Sequence, residues 1–257
     1  MPEGDTIHNA ANRLRPVLAG VVPDAIETPQ RRHALDRWPA RLAGRAVAAV
    51  DAHGKHLFLR FDGDLVIHSH LGMSGSWLVA GTRSRPARSP RAWLVLRSGG
   101  REVIQLGGPT LELMTALRAR TDPRLAQLGP DILGEQFDPV SAIARLRAGD
   151  ARRAVGDALL DQRALAGIGN IWKSESCFAA RVDPWRPVGD VSDSELRELL
   201  EFARDRMAQS ARDGFTARPR AVYGRVHQPC SRCGAPIGSR GQGDQNRVTY
   251  WCSGCQS

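Results

Sequence analysis

The dipeptide Pro2-Glu3 sets a secondary amine beside a carboxylate at the start of the chain. A Pro in the second position is small enough for Met1 to be removed. The freed amine has a reference pKa of about 7.7–8.0, so an appreciable fraction of it, roughly a tenth or more, can be an unprotonated nucleophile near neutral pH. A secondary amine attacking an aldehyde-like carbon gives a cationic imine, an electron sink that loosens neighbouring bonds. Glu3 is then placed to move protons. Read alone, the pair is also no more than a processed start ahead of a helix. Of 36 basic residues only two are lysines, Lys55 and Lys173, and arginine stays protonated. Schiff-base chemistry is therefore confined to Pro2, Lys55 and Lys173.

A second constellation lies at the other end. Cys230-x2-Cys233 and Cys252-x2-Cys255, separated by 18 residues, have the spacing of a four-thiolate structural zinc site. The Gly-rich insert between the pairs suits a β-hairpin. A segment shorter than about 40 residues cannot build its own core, so one zinc ion would supply its stability. Four thiolates leave no open position, which makes that zinc structural. Cys177 falls in an apolar helical pattern and reads as core. The stretch LLDQRALAGIGNIW at 159–172 sets Gly167, Gly169 and Asn170 between two helical segments. The glycines allow close backbone approach and Asn170 can cap the following helix. Amides at that helix start would suit a DNA phosphate; an ordinary tight turn is the other reading.

These residues need elements to hold them. Asp5 and Thr6 are good N-caps, and Ile7, Ala10, Ala11, Leu14 and Leu18 follow on one helical face. Lys55–Phe61, Asp64–His70, Gly75–Ala80, Ala92–Arg97 and Arg101–Leu106 alternate as strands, with Asp62-Gly63 and Gly99-Gly100 where tight hairpins belong. That pattern predicts an antiparallel sandwich or barrel. Gly81–Arg91 carries four arginines and reads as a mobile basic loop. Beyond a Pro-, Gly- and Asp-rich stretch the signal is helical: Ala154–Gln162, Ile171–Ala180, and a third helix capped by Ser192-x-x-Glu195. The expected organisation is residues 1–121 as a first domain, 122–139 as linker, 140–221 as a helical domain and 222–257 as a zinc hairpin.

The net charge of +9 and pI of about 10.3 favour a polyanionic partner. No apolar run approaches the roughly 18 residues of a spanning helix, and no signal peptide is visible. A cytoplasmic protein is expected, in a compartment where paired cysteines hold metal and not disulfides.

The start MPEGDT, GKHLF at 54–58, LLDQRALAGIGNIW, VYGR at 222–225 and RVTYWCSGC at 247–255 together resemble the formamidopyrimidine-DNA glycosylase / endonuclease VIII family, the start and GKHLF being closest to actinobacterial endonuclease VIII-like members. The resemblance implies an α+β fold. Its parts are an N-terminal helix with an antiparallel β-sandwich, and a helix-two-turn-helix domain with a four-Cys zinc β-hairpin. It implies a bifunctional glycosylase and abasic-site lyase of base excision repair, monomeric, in a bacterial cytoplasm with its nucleoid. Pro2 would attack C1′ of the damaged nucleotide and Glu3 would assist ring opening. Lys55 would hold phosphate and aid elimination, Asn170 and Arg247 would grip phosphate, and Met73 would fill the hole left by the flipped base. A lone Met in a β run is otherwise usually core.

The lesion class is read from two departures. Purine-directed members carry a Pro-Arg-Arg-Phe type insert where this chain has Leu106-Gly-Gly-Pro-Thr, and only 16 residues separate Asp213 from Cys230, too few for a lid over 8-oxoguanine. Oxidised pyrimidines are therefore expected. The motif HLGMSG points the other way, toward a purine glycosylase, and a non-catalytic damaged-DNA-binding protein is the rival from another class.

Overall fold

The computed structural model describes residues 1–257 apart from 84, 216, 217, 219 and 257, and without the side chain of residue 32. The chain divides into two compact units: Met1–Pro2 with Thr6–Gln127, and Glu3–Asp5 with Leu128–Ser257. The three residues Glu3–Asp5 thus belong to the packing of the second unit.

In the first unit, helix α1 (Gly4–Leu18) lays Ile7, Ala10, Ala11, Leu14 and Leu18 into the core, as the periodicity predicts. It begins one residue before the expected cap Asp5. There follow β1 (Ala25–Glu27), α2 (Arg31–Ala34), α3 (Trp38–Leu42), β2 (Val47–His53), β3 (His56–Phe61), β4 (Leu65–His70), β5 (Ser76–Gly81), β6 (Ala92–Ser98), β7 (Arg101–Leu106), β8 (Thr110–Thr115), α4 (Ala116–Thr121) and α5 (Pro123–Ala126). The strands make two antiparallel four-stranded sheets, β2-β3-β4-β8 and β1-β6-β7-β5. Leu57, Leu59, Ile67 and Leu111 of one and Trp77, Leu94, Leu96 and Val103 of the other share a single core, the sandwich that the alternation predicts. The basic stretch after β5 contains a 3-10 turn at Pro86–Arg88; its Ser84 lies outside the described residues.

The second unit holds α6 (Pro139–Arg147), α7 (Val155–Ala158), α8 (Asn170–Ala179), α9 (Asp193–Asp213) and a hairpin of β9 (Ile237–Gln242) and β10 (Arg247–Cys252). The expected helix 154–162 is only the single turn α7, because Asp161 and Gln162 turn back on the glycine loop instead of continuing the helix; Gln162 accepts from the N–H of Gly167 at 3.0 Å. The capping box of Ser192 and Glu195 starts α9 as expected, and Leu196, Leu199, Leu200, Ala203 and Met207 are buried. Residues of the stretch expected as linker bond to this unit, Gly129 N–H to Gln162 O at 2.9 Å and Ile132 N–H to Ala166 O at 3.1 Å.

The central element is α8. All nine residues from Asn170 to Phe178 are buried although five of them, Asn170, Lys173, Ser174, Glu175 and Ser176, are polar. A buried polar group is tolerable only when it is hydrogen-bonded, so this helix must be wired to its surroundings on several sides.

Candidate active site and DNA interface

Glu3 is completely buried. Its carboxylate accepts from three backbone N–H groups at the start of α8: Gly169 at 3.1 Å, Ile171 at 2.8 Å and Trp172 at 3.3 Å. The first amides of a helix lack partners within it and carry the positive end of its dipole, so a carboxylate there is held by both effects. Gly169 is required sterically. A Cβ on it would lie 2.3 Å from Glu3 Cδ. Gly4 bonds to Gly167 O at 2.9 Å, and a Cβ on Gly4 would come within 2.9 Å of Gly167 Cα. The two glycines of the 159–172 motif therefore receive the chain's own Glu3-Gly4. This corrects the expectation that those amides face a DNA phosphate, since a carboxylate already occupies them.

Two related expectations change with it. Asn170 does not cap α8; the N-cap residue is Gly169 and the capping acceptor comes from Glu3. Asp5 does not cap α1; its carboxylate accepts from Ser210 Oγ at 2.6 Å and from Arg218 at 2.7 and 2.8 Å.

Pro2, joined to this fixed carboxylate by one peptide bond, is half-buried. The amine of the mature chain would thus be tethered directly to an immobile group.

The other faces of α8 hold the C-terminal segment. Asn170 Nδ2 donates to Val248 O at 2.7 Å, and the Lys173 ammonium donates to Thr249 Oγ1 and to Gln242 Oε1. Burial lowers the Lys173 pKa to about 8. Glu175 accepts from the N–H groups of Ala221, Val222 and Tyr223 at 2.9, 3.0 and 2.7 Å, which ties down part of the 214–229 connector; Thr216, Ala217 and Pro219 of that connector lie outside the described residues. Neither Glu175 nor Asp5 was legible as a site-building residue, since a carboxylate at helical spacing ordinarily reads as solvent-facing.

Arg247 opens β10 with its side chain exposed, its guanidinium donating to Gln245 Oε1 at 2.9 and 3.1 Å. The four hairpin cysteines bring their sulfurs within 4.8 Å of one another, with Cys233–Cys252 at 3.5 Å and Cys230–Cys255 at 3.8 Å. A tetrahedron with arms of about 2.3 Å has edges near 3.8 Å, so the four thiols fit one metal ion. Cys177 is buried and its thiol is pushed up to about 12 by burial, the inert core residue expected.

In the first unit Lys55 sits in the β2–β3 turn after Gly54. Met73 is 74 % exposed, on a turn between β4 and β5 and not in a strand. Gly75 N–H donates to Leu71 O at 2.9 Å across that turn, and Gly72 N–H donates to His70 Nδ1 at 3.2 Å. The Gly107–Pro109 connector lies against it: a Cβ on Gly72 would meet Pro109 Cδ at 2.6 Å. Met73 therefore stands out from a braced turn, away from the core.

Residues 1–105 match the model of the formamidopyrimidine-DNA glycosylase N-terminal domain, and 128–219 that of the formamidopyrimidine-DNA glycosylase H2TH domain. The whole chain aligns at 41% identity with the probable endonuclease 8 2 of Streptomyces coelicolor, covering 94% of that protein. It is 38% identical to the DNA-(apurinic or apyrimidinic site) lyase Nei2 of Mycolicibacterium smegmatis and 32% identical to the formamidopyrimidine-DNA glycosylase of Thermus thermophilus, again over the whole chain and covering 99% and 98% of those proteins. The fold matches that of Lactococcus lactis formamidopyrimidine-DNA glycosylase bound to abasic-site DNA, with a TM-score of 0.84 over 99% of each chain at 23% identity.

Proposed function

The chain belongs to the formamidopyrimidine-DNA glycosylase / endonuclease VIII family, and on that premise we propose that it is a bifunctional DNA glycosylase and abasic-site lyase that excises oxidised pyrimidines. The observation that carries this reading is Glu3, a carboxylate fixed by three amides and one peptide bond away from the amine of Pro2.

With Met1 removed, the Pro2 nitrogen attacks C1′ of an extruded nucleotide. As the Pro2 nitrogen bonds to C1′ it loses its N–H proton, which Glu3 is placed to take and pass to O4′ while the C1′–O4′ bond breaks; the base then leaves with a proton drawn from solvent as the nitrogen lone pair closes the iminium. The resulting iminium makes the C2′ hydrogen acidic. Its removal expels the 3′ phosphate by β-elimination, and a second elimination expels the 5′ phosphate. Extrusion costs a few kcal/mol, which phosphate contacts at Lys55 and Arg247 offset, with Met73 entering the vacated stack; Asn170, buried and donating to Val248 O, would have only its second Nδ2 hydrogen for the phosphate expected there. Cys230, Cys233, Cys252 and Cys255 would hold one zinc ion, whose part is to stabilise the hairpin that carries Arg247. The setting proposed for it is a monomer acting on chromosomal DNA in a bacterial cytoplasm.

The pyrimidine assignment is supported by the short connectors. Gly107–Pro109 is packed against the Met73 turn, and much of 214–229 is bonded in place. A saturated pyrimidine is non-planar and poorly stacked, so it is cheaper to extrude and needs less cover. The test is borohydride trapping across oligonucleotides with defined lesions. Thymine glycol, dihydrouracil or 5-hydroxyuracil should be excised faster than 8-oxoguanine opposite cytosine. Equal or faster removal of 8-oxoguanine replaces this reading with the purine one, which HLGMSG favours. One residue left ahead of Pro2 should abolish trapping on abasic DNA, whereas Lys173→Ala should still trap. Trapping by the extended protein would end the Pro2 assignment.

A further inference from the structure

The turn that carries Met73 is tied from outside by an arginine that the proposed chemistry leaves unused. In the β1-β6-β7-β5 sheet, Leu106 of β7 lies between its two register partners, Ser76 of β5 and Ala92 of β6. One residue beyond these, at the same end of the sheet, stand Gly107, Gly75 and Arg91. The backbone of Arg91 accepts the Gly107 N–H at 2.9 Å, and its guanidinium Nη2 donates to Ser74 O on the far side of β7. Neighbouring strands are about 4.8 Å apart, so that reach is roughly 10 Å, a span that suits the longest of the basic side chains. Gly107 makes the crossing possible. Its φ is +58°, and a Cβ there would already lie 3.5 and 3.7 Å from Nη2 and Nε, so a longer side chain would run into the guanidinium. The Arg91 end is itself fixed, its N–H donating to Ser89 Oγ at 3.2 Å and the Ala92 N–H to Ser89 O at 2.9 Å.

The turn has need of such a tie. Gly72 and Gly75 flank the pair Met73-Ser74, and glycine restricts its own backbone least of all residues. Within the turn, Gly75 N–H closes onto Leu71 O and Gly72 N–H is held by His70 Nδ1. The Gly107–Pro109 connector backs it from one side: a Cβ on Gly75 would meet Gly108 Cα at 3.1 Å, and one on Gly108 would meet Leu71 O at 3.2 Å. Gln105 holds the connector in turn, donating from Nε2 to Gly107 O. Of these contacts, the Arg91 guanidinium is the one that grips the Met73-Ser74 pair itself. A cationic donor makes a hydrogen bond about twice as strong as a neutral one. An apolar side chain driven between base steps is pushed back by the stack it opens, and an untied turn would yield in place of the bases.

We propose that Arg91 is a positioning residue for the Met73 wedge: it straps the Leu71–Gly75 turn to the Gly107–Pro109 connector and so holds Met73 at the height from which it enters the base stack. This rests on the reading of Met73 as the residue that fills the vacated stack. Side chains that orient a functional group are costly to remove even though they touch no substrate. The strap also gives the short Leu106-Gly-Gly-Pro-Thr connector a purpose, since Gly107 is the gap through which the guanidinium passes.

Two measurements on the full-length protein test the strap. Amide hydrogen exchange reads the turn without DNA: in Arg91→Ala the Gly75 and Gly107 N–H groups should exchange about fivefold faster, while amides in the middle of α1 stay unchanged. The second uses a duplex with a tetrahydrofuran abasic analogue and 2-aminopurine as the base opposite it, whose fluorescence rises as the wedge unstacks it. Arg91→Ala should slow that rise about fivefold, as should Met73→Ala, and the double variant should be within about twofold of Met73→Ala alone. Arg91→Lys, which keeps a cationic donor on a long stem, should recover at least half of the loss, and Arg91→Met none. Binding of undamaged duplex should keep its salt slope in Arg91→Ala, because the guanidinium serves the turn and not a phosphate. Unchanged exchange, multiplied losses in the double variant, no recovery by lysine, or a slope smaller by about one would each overturn the proposal. A normal rise in Met73→Ala would refute the wedge reading and the strap's purpose with it, whereas unchanged exchange in Arg91→Ala refutes the strap alone.

Discussion

At the scale of single residues, the site depends on atoms that must not be enlarged or neutralised. Gly169→Ala places a methyl carbon 2.3 Å from Glu3 Cδ, so the carboxylate must move or the helix start must open. Overpacking of this kind costs about 1–3 kcal/mol, and a lower Tm together with slower trapping is expected. Gly149→Ala, whose Cβ meets nothing within 4 Å, is the control and should stay within about 0.5 kcal/mol. Glu3→Gln keeps the shape but turns an NH2 group toward amide donors. A loss of about 1–3 kcal/mol in chemical denaturation is expected, larger than for an exposed Glu→Gln change. Pro2, Glu3 and the cysteines were legible as candidates because amine, carboxylate and thiol are rare in those patterns. Asp5 and Glu175 were not, since the sequence does not say which amides will face a carboxylate.

At the scale of elements, α8 and the four-cysteine hairpin are one mechanical assembly. Phe178 of α8 shares a small core with Val222, Ile237, Cys230 and Cys252, while Asn170, Lys173 and Ser174 bond to residues 248–250 of β10. Stripping the metal with a chelator should therefore release more than a surface appendage. A fall in Tm of about 10 °C or more is expected, with loss of DNA binding. Arg247→Ala, by contrast, should bind and cut poorly while keeping one metal per chain in elemental analysis. Lys173 gives this assembly a pH signature. Its pKa in the folded protein is about 8 against an ordinary 10.5, so between those values the unfolded chain holds more protons and stability rises with pH. Below pH 8 the cost of a buried ammonium is fully present. Relative to Lys173→Met, the native protein should thus gain stability on going from pH 8 to 10; a flat difference would show the ammonium to be better solvated than its burial implies. The strands were readable from alternation and glycine turns, and α9 from its capping box. The polar α8 was readable as a helix but not as a buried one, because its burial is made possible by partners 46 to 169 residues away in the chain.

At the scale of the whole molecule, the +9 charge is expected to favour a polyanion such as duplex DNA. Binding to undamaged duplex should weaken steeply with salt, with a slope of log K against log salt near −0.9 per neutralised phosphate. Lys55→Ala and Arg247→Ala should each reduce the magnitude of that slope by about one and weaken all duplexes alike. An unchanged slope in either variant would remove that residue from the list of phosphate contacts. Among the described residues no helix is long and apolar enough to cross a membrane.

The seat of Glu3 also imposes a timetable on synthesis. Its amide partners lie 166 to 169 residues further along the chain. At roughly 5–20 residues per second, a ribosome needs on the order of ten to thirty seconds to reach them. For that interval Glu3 lacks these three amides, and the start of the chain would stay open to the aminopeptidase that the proposed removal of Met1 calls for. On the proposed role of Pro2, removal of Met1 would thereby come before the completed helix start locks the Glu3 carboxylate in place.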